Sequence, residues 1–306
     1  MNLDTAAYEA IVHAPGQRAA RYEEMLPSFY SFATSAYRNN WADSFHLPPF
    51  HGPESLAEAL AEQERRLADD AGFGPGMRIL DIGCGIGGPA LHIARHSGAH
   101  VTGVNIVAAH IDIARSRARE QDLEDQVSFV EGDMMRLPFP DASFDGAFSF
   151  DAICHAPDKK QAHREIARVL KPGAVFAGCD WLCADGMTEA DYNEWIEPLC
   201  VYSALPSVLS LTELSQSLAE AGFAVSTCRD LAGVGDMEPN WRLFEESAET
   251  IPAPRSGTYE LLWQHAVSTA RAGRAGKFVV GTWSAVRGAA PGDSRETADL
   301  GFAEQG

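Results

Sequence analysis

Residues 79–88 read Ile-Leu-Asp-Ile-Gly-Cys-Gly-Ile-Gly-Gly: an apolar run, a carboxylate near its end, then a turn with glycine at alternate positions. Gly83, Gly85 and Gly87 let the backbone turn sharply and approach a ligand where a Cβ would intrude. Asp81 stands just before the turn, where it can meet a cationic group, and the helix opening near Ile86 aims its unpaired N–H groups at an anionic one. A phosphate loop would need Lys followed by Ser or Thr behind the glycines, and none follows. A dinucleotide turn wants G-x-G-x-x-G, which Gly83, Gly85 and Gly88 satisfy, so the turn by itself leaves a nicotinamide cofactor open.

More polar residues stand at the ends of later apolar runs. Val101–Val104 ends at Asn105, whose amide can accept one hydrogen bond and donate another. Gly132-Asp133-Met134 follows the third run and places a carboxylate and a thioether at its end. Cys84, Ile106, His110 and Phe150 complete the set expected at the cofactor. Candidate bases follow the fourth and fifth runs: Asp180 beside Trp181, His155, and then Asp151. Burial would raise a carboxyl pKa there toward a useful base, and histidine titrates near neutrality.

These residues need elements to hold them. Strands are predicted at 77–82, 100–105, 127–131, 144–150, 173–180, near 223–229 and at 277–286. Helices are predicted at 54–71, 86–97, 107–121, 158–170 and 211–221, with 236–273 mostly helical. The helix at 158–170 meets a stop signal in Lys171-Pro172-Gly173. The alternation predicts an α/β doubly wound, mostly parallel sheet, which binds ligands beyond the carboxyl ends of its strands. Residues 1–53 and 181–210 break the rhythm with aromatics and prolines and are expected to cover the open side of the sheet. The expected division is an aromatic helical cap (1–53), the cofactor-binding core (54–180), an inserted lid (181–210), the rest of the core (211–287) and a disordered tail (288–306).

Composition narrows the partners. The chain has 306 residues and a formal charge of −19, with only four lysines, which disfavours nucleic acid and anionic membranes. Six cysteines in a chain of this size do not read as a disulfide framework, and their spacing fits no zinc site. There is no signal-like leader and no run of 18 apolar residues, so a cytoplasmic protein is expected, with a homo-oligomer mildly preferred.

Taken in order, the glycine turn, Asn105 and Asp133-Met134 resemble the cofactor motifs of the class I S-adenosylmethionine (SAM) methyltransferases. That family usually has Asp or Glu at the position of Asn105. The likeness is closer to the sterol C24-methyltransferases. Gly76–Pro89 and Ile93–Gly103 are similar to the same runs there, and Cys154-His155-Ala156-Pro157 matches a C-H-A-P segment. Tyr30-x3-Thr34-x2-Tyr37-x3-Trp41-x2-Ser44-Phe45-His46 resembles that family's aromatic substrate segment. The resemblance spans roughly residues 28–185. It implies a seven-stranded Rossmann-like fold and attack of an alkene on the SAM methyl. The resulting carbocation then loses a proton. Tyr30, Tyr37, Trp41, His46 and Trp181 are the implied acceptor contacts, with Phe29, Phe32 and Phe45 as core.

Two departures shape the expected acceptor. Where sterol enzymes carry Tyr-Glu-Trp-Gly-Trp-Gly, this chain has Tyr37-Arg38-Asn39-Asn40-Trp41-Ala42. Arg38 suits a phosphate, so a prenyl diphosphate such as geranyl or farnesyl diphosphate is the expected acceptor, with Mg²⁺ as a possible bridge to Asp or Glu. Asp151 replaces the Glu of an E-A-T-C-H-A-P pattern and is one carbon shorter. The competing readings are a sterol acceptor, an O- or N-methyltransferase of a small metabolite, a SAM-binding protein without transfer, and a nicotinamide oxidoreductase.

Overall fold

The computed structural model describes residues 5–40 and 42–288, with backbone only at 39 and 40. Trp41, and all but the first residue of the expected tail, lie outside the described residues.

Three helices open the chain: α1 (Ala6–Val12), α2 (Pro15–Ala20) and α3 (Tyr22–Asn40). After an extended strap, α4 (Leu56–Asp70) begins with a capping box, the Ser55 side chain accepting from Glu58 N–H and the Glu58 carboxylate accepting from Ser55 N–H. Then come β1 (Arg78–Ile82), α5 (Gly88–Ser97), β2 (His100–Asn105), α6 (Ala108–Glu120), β3 (Val127–Glu131) and β4 (Phe144–Phe150). They are followed by α7 (Lys159–Val169) and β5 (Leu170–Cys183). A short α8 (Glu189–Asp191) runs through a π-helical turn at Tyr192–Ile196 into α9 (Glu197–Tyr202). The chain closes with α10 (Leu211–Glu220), β6 (Phe223–Asp230), α11 (Glu238–Glu249), α12 (Thr258–Arg274) and β7 (Phe278–Arg287).

One seven-stranded sheet has the order β3-β2-β1-β4-β5-β7-β6. The first five strands pair in parallel, and β7 runs antiparallel to both β5 and β6. Ile79–Ile82 of β1 are all buried, as a central strand covered by helices on both faces requires. The expected strands are present, and β5 is longer at both ends. It starts at Leu170 rather than 173, because Leu170 pairs with Phe144 before the register shifts at Gly146, and it continues to Cys183 rather than 180 through its pairing with β7. α7 has thus ended at Val169, and Lys171-Pro172-Gly173 lie within β5.

The order reverses between β1 and β4, which opens a crevice at their carboxyl ends. The N-terminal helices are tied to the chain above it. Tyr8 Oη donates to Val201 O at 2.5 Å, and the buried Arg18 forks onto Glu197 at 2.9 and 2.8 Å.

Candidate active site

The glycine turn follows β1 into α5. Gly83, Gly85 and Gly87 have φ of 73°, 50° and 84°, the left-handed region that favours glycine. A Cβ on Gly83 would lie 2.3 Å from that of Ala152, so the turn and the segment after β4 pack too closely for any side chain.

The crevice above this turn holds a cavity of about 850 Å³ including its mouth. Every residue expected at the cofactor lines it except Gly87, which shapes the turn from behind: Asp81, Gly83, Cys84, Gly85, Asn105, Ile106, His110, Asp133, Met134 and Phe150. Asp81 is buried, and its Oδ2 has no hydrogen-bond partner among the described residues. Burial, with the charge of Glu64 nearby, holds its carboxyl well above the usual range. A buried carboxylate facing a cavity without a partner fits a cationic ligand.

The Asn105 end shows how an amide replaces an acid. Thr34 Oγ1 on α3 donates to Tyr30 O at 2.5 Å, so it accepts from His110 Nε2 at 2.8 Å. Burial lowers the His110 pKa to about 4, leaving the ring neutral, and its Nδ1 then accepts from Asn105 Nδ2 at 3.2 Å. This assigned proton order leaves Asn105 Oδ1 for a ribose hydroxyl. At the far side Asp133 Oδ1 accepts from Met135 N–H at 2.8 Å, fixing that carboxylate at the cavity wall.

A second cavity of about 470 Å³ adjoins the first. Tyr30, Phe45, His46, Asp151 and His155 line both, so the two chambers meet there. Tyr37 and Trp181 line the second chamber, with Phe29, Leu47, Cys154, Ser203, Leu205 and Phe244. Phe29 and Phe32, expected as core, are buried in the N-terminal cluster, Phe29 also lining the second chamber, whereas Phe45 is half-buried and lines both chambers. Ser203, Leu205 and Phe244 were not expected. They come from segments remote in sequence that carry no motif.

Asp151 sits at the junction with φ 47°, a conformation that Asp tolerates better than most side chains. Its Oδ2 accepts from Leu47 N–H at 3.0 Å, and Cys179 Sγ lies 3.6 Å from its Oδ1. Burial raises its pKa to about 6, against the opposing pull of His46. Asp180 lies behind the wall and lines neither chamber. Its two oxygens accept from Cys154 and Trp181 N–H, both at 2.8 Å. Burial and the Asp151 charge raise its pKa to about 7. The expected order of candidate bases, Asp180 and His155 before Asp151, is therefore not the order of access: the Asp180 carboxylate is turned back onto the backbone of the C-H-A-P turn. His155 is neutral because burial lowers its pKa to about 4. Its Nδ1–H donates to Ala204 O at 3.0 Å, so its Nε2 accepts from Tyr30 Oη at 3.1 Å.

His46 stacks on Phe150 at 4.4 Å and bonds Glu64 at 2.9 Å through Nε2. Glu64 also bonds His92 at 2.6 Å. Burial of Glu64 favours its neutral form, but the two histidines outweigh it and bring the pKa down to about 2. The stabilisation from this ionised carboxylate is present above its unfolded pKa and is lost as pH falls toward 2. Glu64→Gln should lower the unfolding free energy by roughly 2–4 kcal/mol, since it removes the charged acceptor of the buried His46. Urea melts at pH 7 measure this.

Arg38 is not at either chamber. It is exposed and its Nε lies 3.5 Å from Asp43 Oδ1, while Asp43 also holds Arg117 at 3.0 Å. No Lys or Arg is among the described residues lining the chambers. Among the described residues, no cluster of three His, Cys, Asp or Glu side chains is placed to hold a metal ion, and no helix is long and apolar enough to cross a membrane. Arg38→Ala should change acceptor KM by less than twofold, as expected for an exposed pair of little energetic weight. Steady-state kinetics with each acceptor check this.

The sheet order, the glycine turn and the flanking acids agree with a match to the methyltransferase domain family over residues 80–178. Residues 80–178 thus form a methyltransferase domain. It is 36 % identical to the sterol 24-C-methyltransferase ERG6B of Gibberella zeae, over 74 % of this chain and 60 % of that one. It is 38 % identical to the cycloartenol-C-24-methyltransferase of Arabidopsis thaliana, over 71 % of this chain and 65 % of that one. The chain thus spans somewhat under two thirds of the length of these curated relatives. Among solved structures, the [4+2]-cyclase SpnF superposes with a TM-score of 0.74 at 24 % identity, covering 88 % of this chain and 97 % of that one. The geranyl diphosphate C-methyltransferase of Streptomyces coelicolor A3(2), solved with Mg²⁺, geranyl diphosphate and S-adenosyl-L-homocysteine, gives 0.65 at 22 %, covering 87 % and 98 %. At these identities the structures support the methyltransferase fold alone.

Proposed function

We propose that this methyltransferase moves a methyl group from SAM to an alkene carbon of a neutral, sterol-like isoprenoid, and that Asp151 then accepts a proton from the methylated acceptor. The observation that carries this reading is the junction: two chambers meet at the half-buried Asp151 carboxylate, beside aromatic rings and with no Lys or Arg among the described residues of either wall.

SAM fits the first chamber. The unpartnered Asp81 Oδ2 suits a cation, and the Gly83 turn leaves backbone where a Cβ would fill space. When bound, SAM supplies an electrophilic methyl on a sulfonium. Asp81 would hold the cationic end of the cofactor, Asn105 Oδ1 a ribose hydroxyl, and Asp133 with Met134 the adenine. Tyr30, Phe45 and Tyr37 would hold the acceptor alkene in line with the first chamber, which lowers the entropic part of the barrier. Their faces stabilise positive charge on the acceptor carbon without trapping it as a nucleophile would. Asp151 is the reachable carboxylate, anchored by Leu47 N–H and set to accept a proton near neutral pH. Asp180 would act through position, holding the C-H-A-P turn that carries His155.

A diphosphate acceptor has less support. Arg38, the residue that suggested it, is paired outside, and the relatives at 36–38 % identity carry sterol-type names. The test is SAM turnover with a Δ24-sterol, geranyl diphosphate and farnesyl diphosphate, each with and without Mg²⁺, read as S-adenosylhomocysteine formed. The expected result is turnover with the sterol and background with both diphosphates. The reverse pattern would overturn the neutral acceptor.

A further inference from the structure

Outside the two chambers lies a third cavity, an open groove of about 820 Å³ between α3, α11 and α12. Its lining contains no charged side chain and is mainly apolar, with Ala36, Ile251, Pro252 and Leu262 among it. Tyr259 belongs to it and is 43 % exposed, the sole large hydrophobic side chain exposed among the described residues.

The groove abuts the inner chamber. Tyr37 and Phe244 line both, so these two rings form the partition. Behind them Tyr37 Oη and His265 Nε2 are 3.0 Å apart, and Phe244 meets the same imidazole edge-on at 5.6 Å. Ser203 Oγ lies 2.8 Å from His265 Nδ1 on the other side. Both shared side chains meet one neutral, buried histidine, which itself lines the groove.

We infer that the groove receives the rigid apolar body of the acceptor, a polycyclic isoprenoid alcohol, while its alkene tail passes between Tyr37 and Phe244 to the inner chamber. This rests on the function proposed above and adds where the bulk of that substrate sits. The occupant follows from size, polarity and continuity. The inner chamber, at about 470 Å³ and already shared with the cofactor junction, suits a flexible tail. The groove is larger, uncharged and joined to it by the shared rings. Ser247 and Thr250 line it too, offering hydroxyls to a substrate's lone alcohol and no cation to an anionic head.

The test is binding of a tritiated Δ24-sterol, delivered from cyclodextrin, to the full chain and to Ala36→Trp and Leu262→Trp, which fill the groove from opposite helices. Both positions are half-buried and line neither inner chamber. Melting temperature and SAM affinity, by calorimetry, are read on the same samples to verify folding. The expected result is saturable sterol binding by the wild type and at least a tenfold loss of sterol affinity in each variant, with both controls unchanged. Variants that bind sterol like the wild type overturn the groove. So does a change confined to sedimentation, which would make this face a contact between copies of the chain. A wild type that binds SAM but takes up no sterol overturns the proposed function itself, and the groove with it.

Discussion

Asp151→Asn should lower turnover by about 10²- to 10⁴-fold, the range that a positioned general base contributes. The amide keeps the acceptor oxygen for Leu47 N–H, so the strap and the junction should survive the change. SAM affinity should stay within about threefold. The same residue gives the pH profile its sign. The base form is the carboxylate, and burial has raised its pKa to about 6, so kcat should climb with pH through an apparent value near 6 and level off above it. Asp180 is coupled to Asp151 by charge, so the observed value belongs to the pair. Asp180→Asn should shift that value downward, because it removes a competing carboxyl, and should cost much less turnover than Asp151→Asn. Larger damage from Asp180→Asn, in a protein that melts like the wild type, would reverse the two roles.

Asp81→Ala should weaken SAM binding by roughly 30- to 1000-fold, the equivalent of about 2–4 kcal/mol for removing one side of a buried charge pair. The effect is electrostatic. Asp81 has an unpartnered oxygen, and burial favours its neutral form until a cation arrives. Binding must therefore ionise it. SAM affinity of the wild type should tighten as pH rises, and binding should release protons. Calorimetry in buffers of different ionisation enthalpy measures that release directly. The Asp81→Ala protein should show less of it, along with a flatter pH dependence. An unchanged proton count would place the cofactor's charge elsewhere.

Much of this was legible in the residues because local rules governed it. Parallel strands buried on both faces read as apolar runs, and the glycine turn could only be a close approach. Other features depended on helix phase. Tyr30, Thr34 and Tyr37 fall at i, i+4 and i+7 on α3, so they share the inward face. Arg38 is one position further, rotated by about 100°, and so reaches the outer rim and Asp43. A linear motif cannot show that rotation. The order of the two carboxylates was hidden for a similar reason. Asp180 ends the predicted run 173–180, but its oxygens are taken by the adjacent Trp181 N–H and by Cys154 N–H, which comes near it only through folding. Phe244 and His265 were silent because only the fold brings α11 and α12 to Tyr37 and Ser203 at the second chamber, and neither residue belongs to a local pattern.

Carbon methylation of a neutral alkene is the central claim, and the product tests it most directly. The protein would be incubated with SAM carrying a ¹³C methyl and a Δ24-sterol, and the purified product analysed by NMR. The account predicts that the label lies on a side-chain carbon, bonded carbon to carbon, with one proton lost from the acceptor for each methyl gained. A labelled methyl on oxygen or nitrogen, or labelled product from a prenyl diphosphate in place of the sterol, would contradict it.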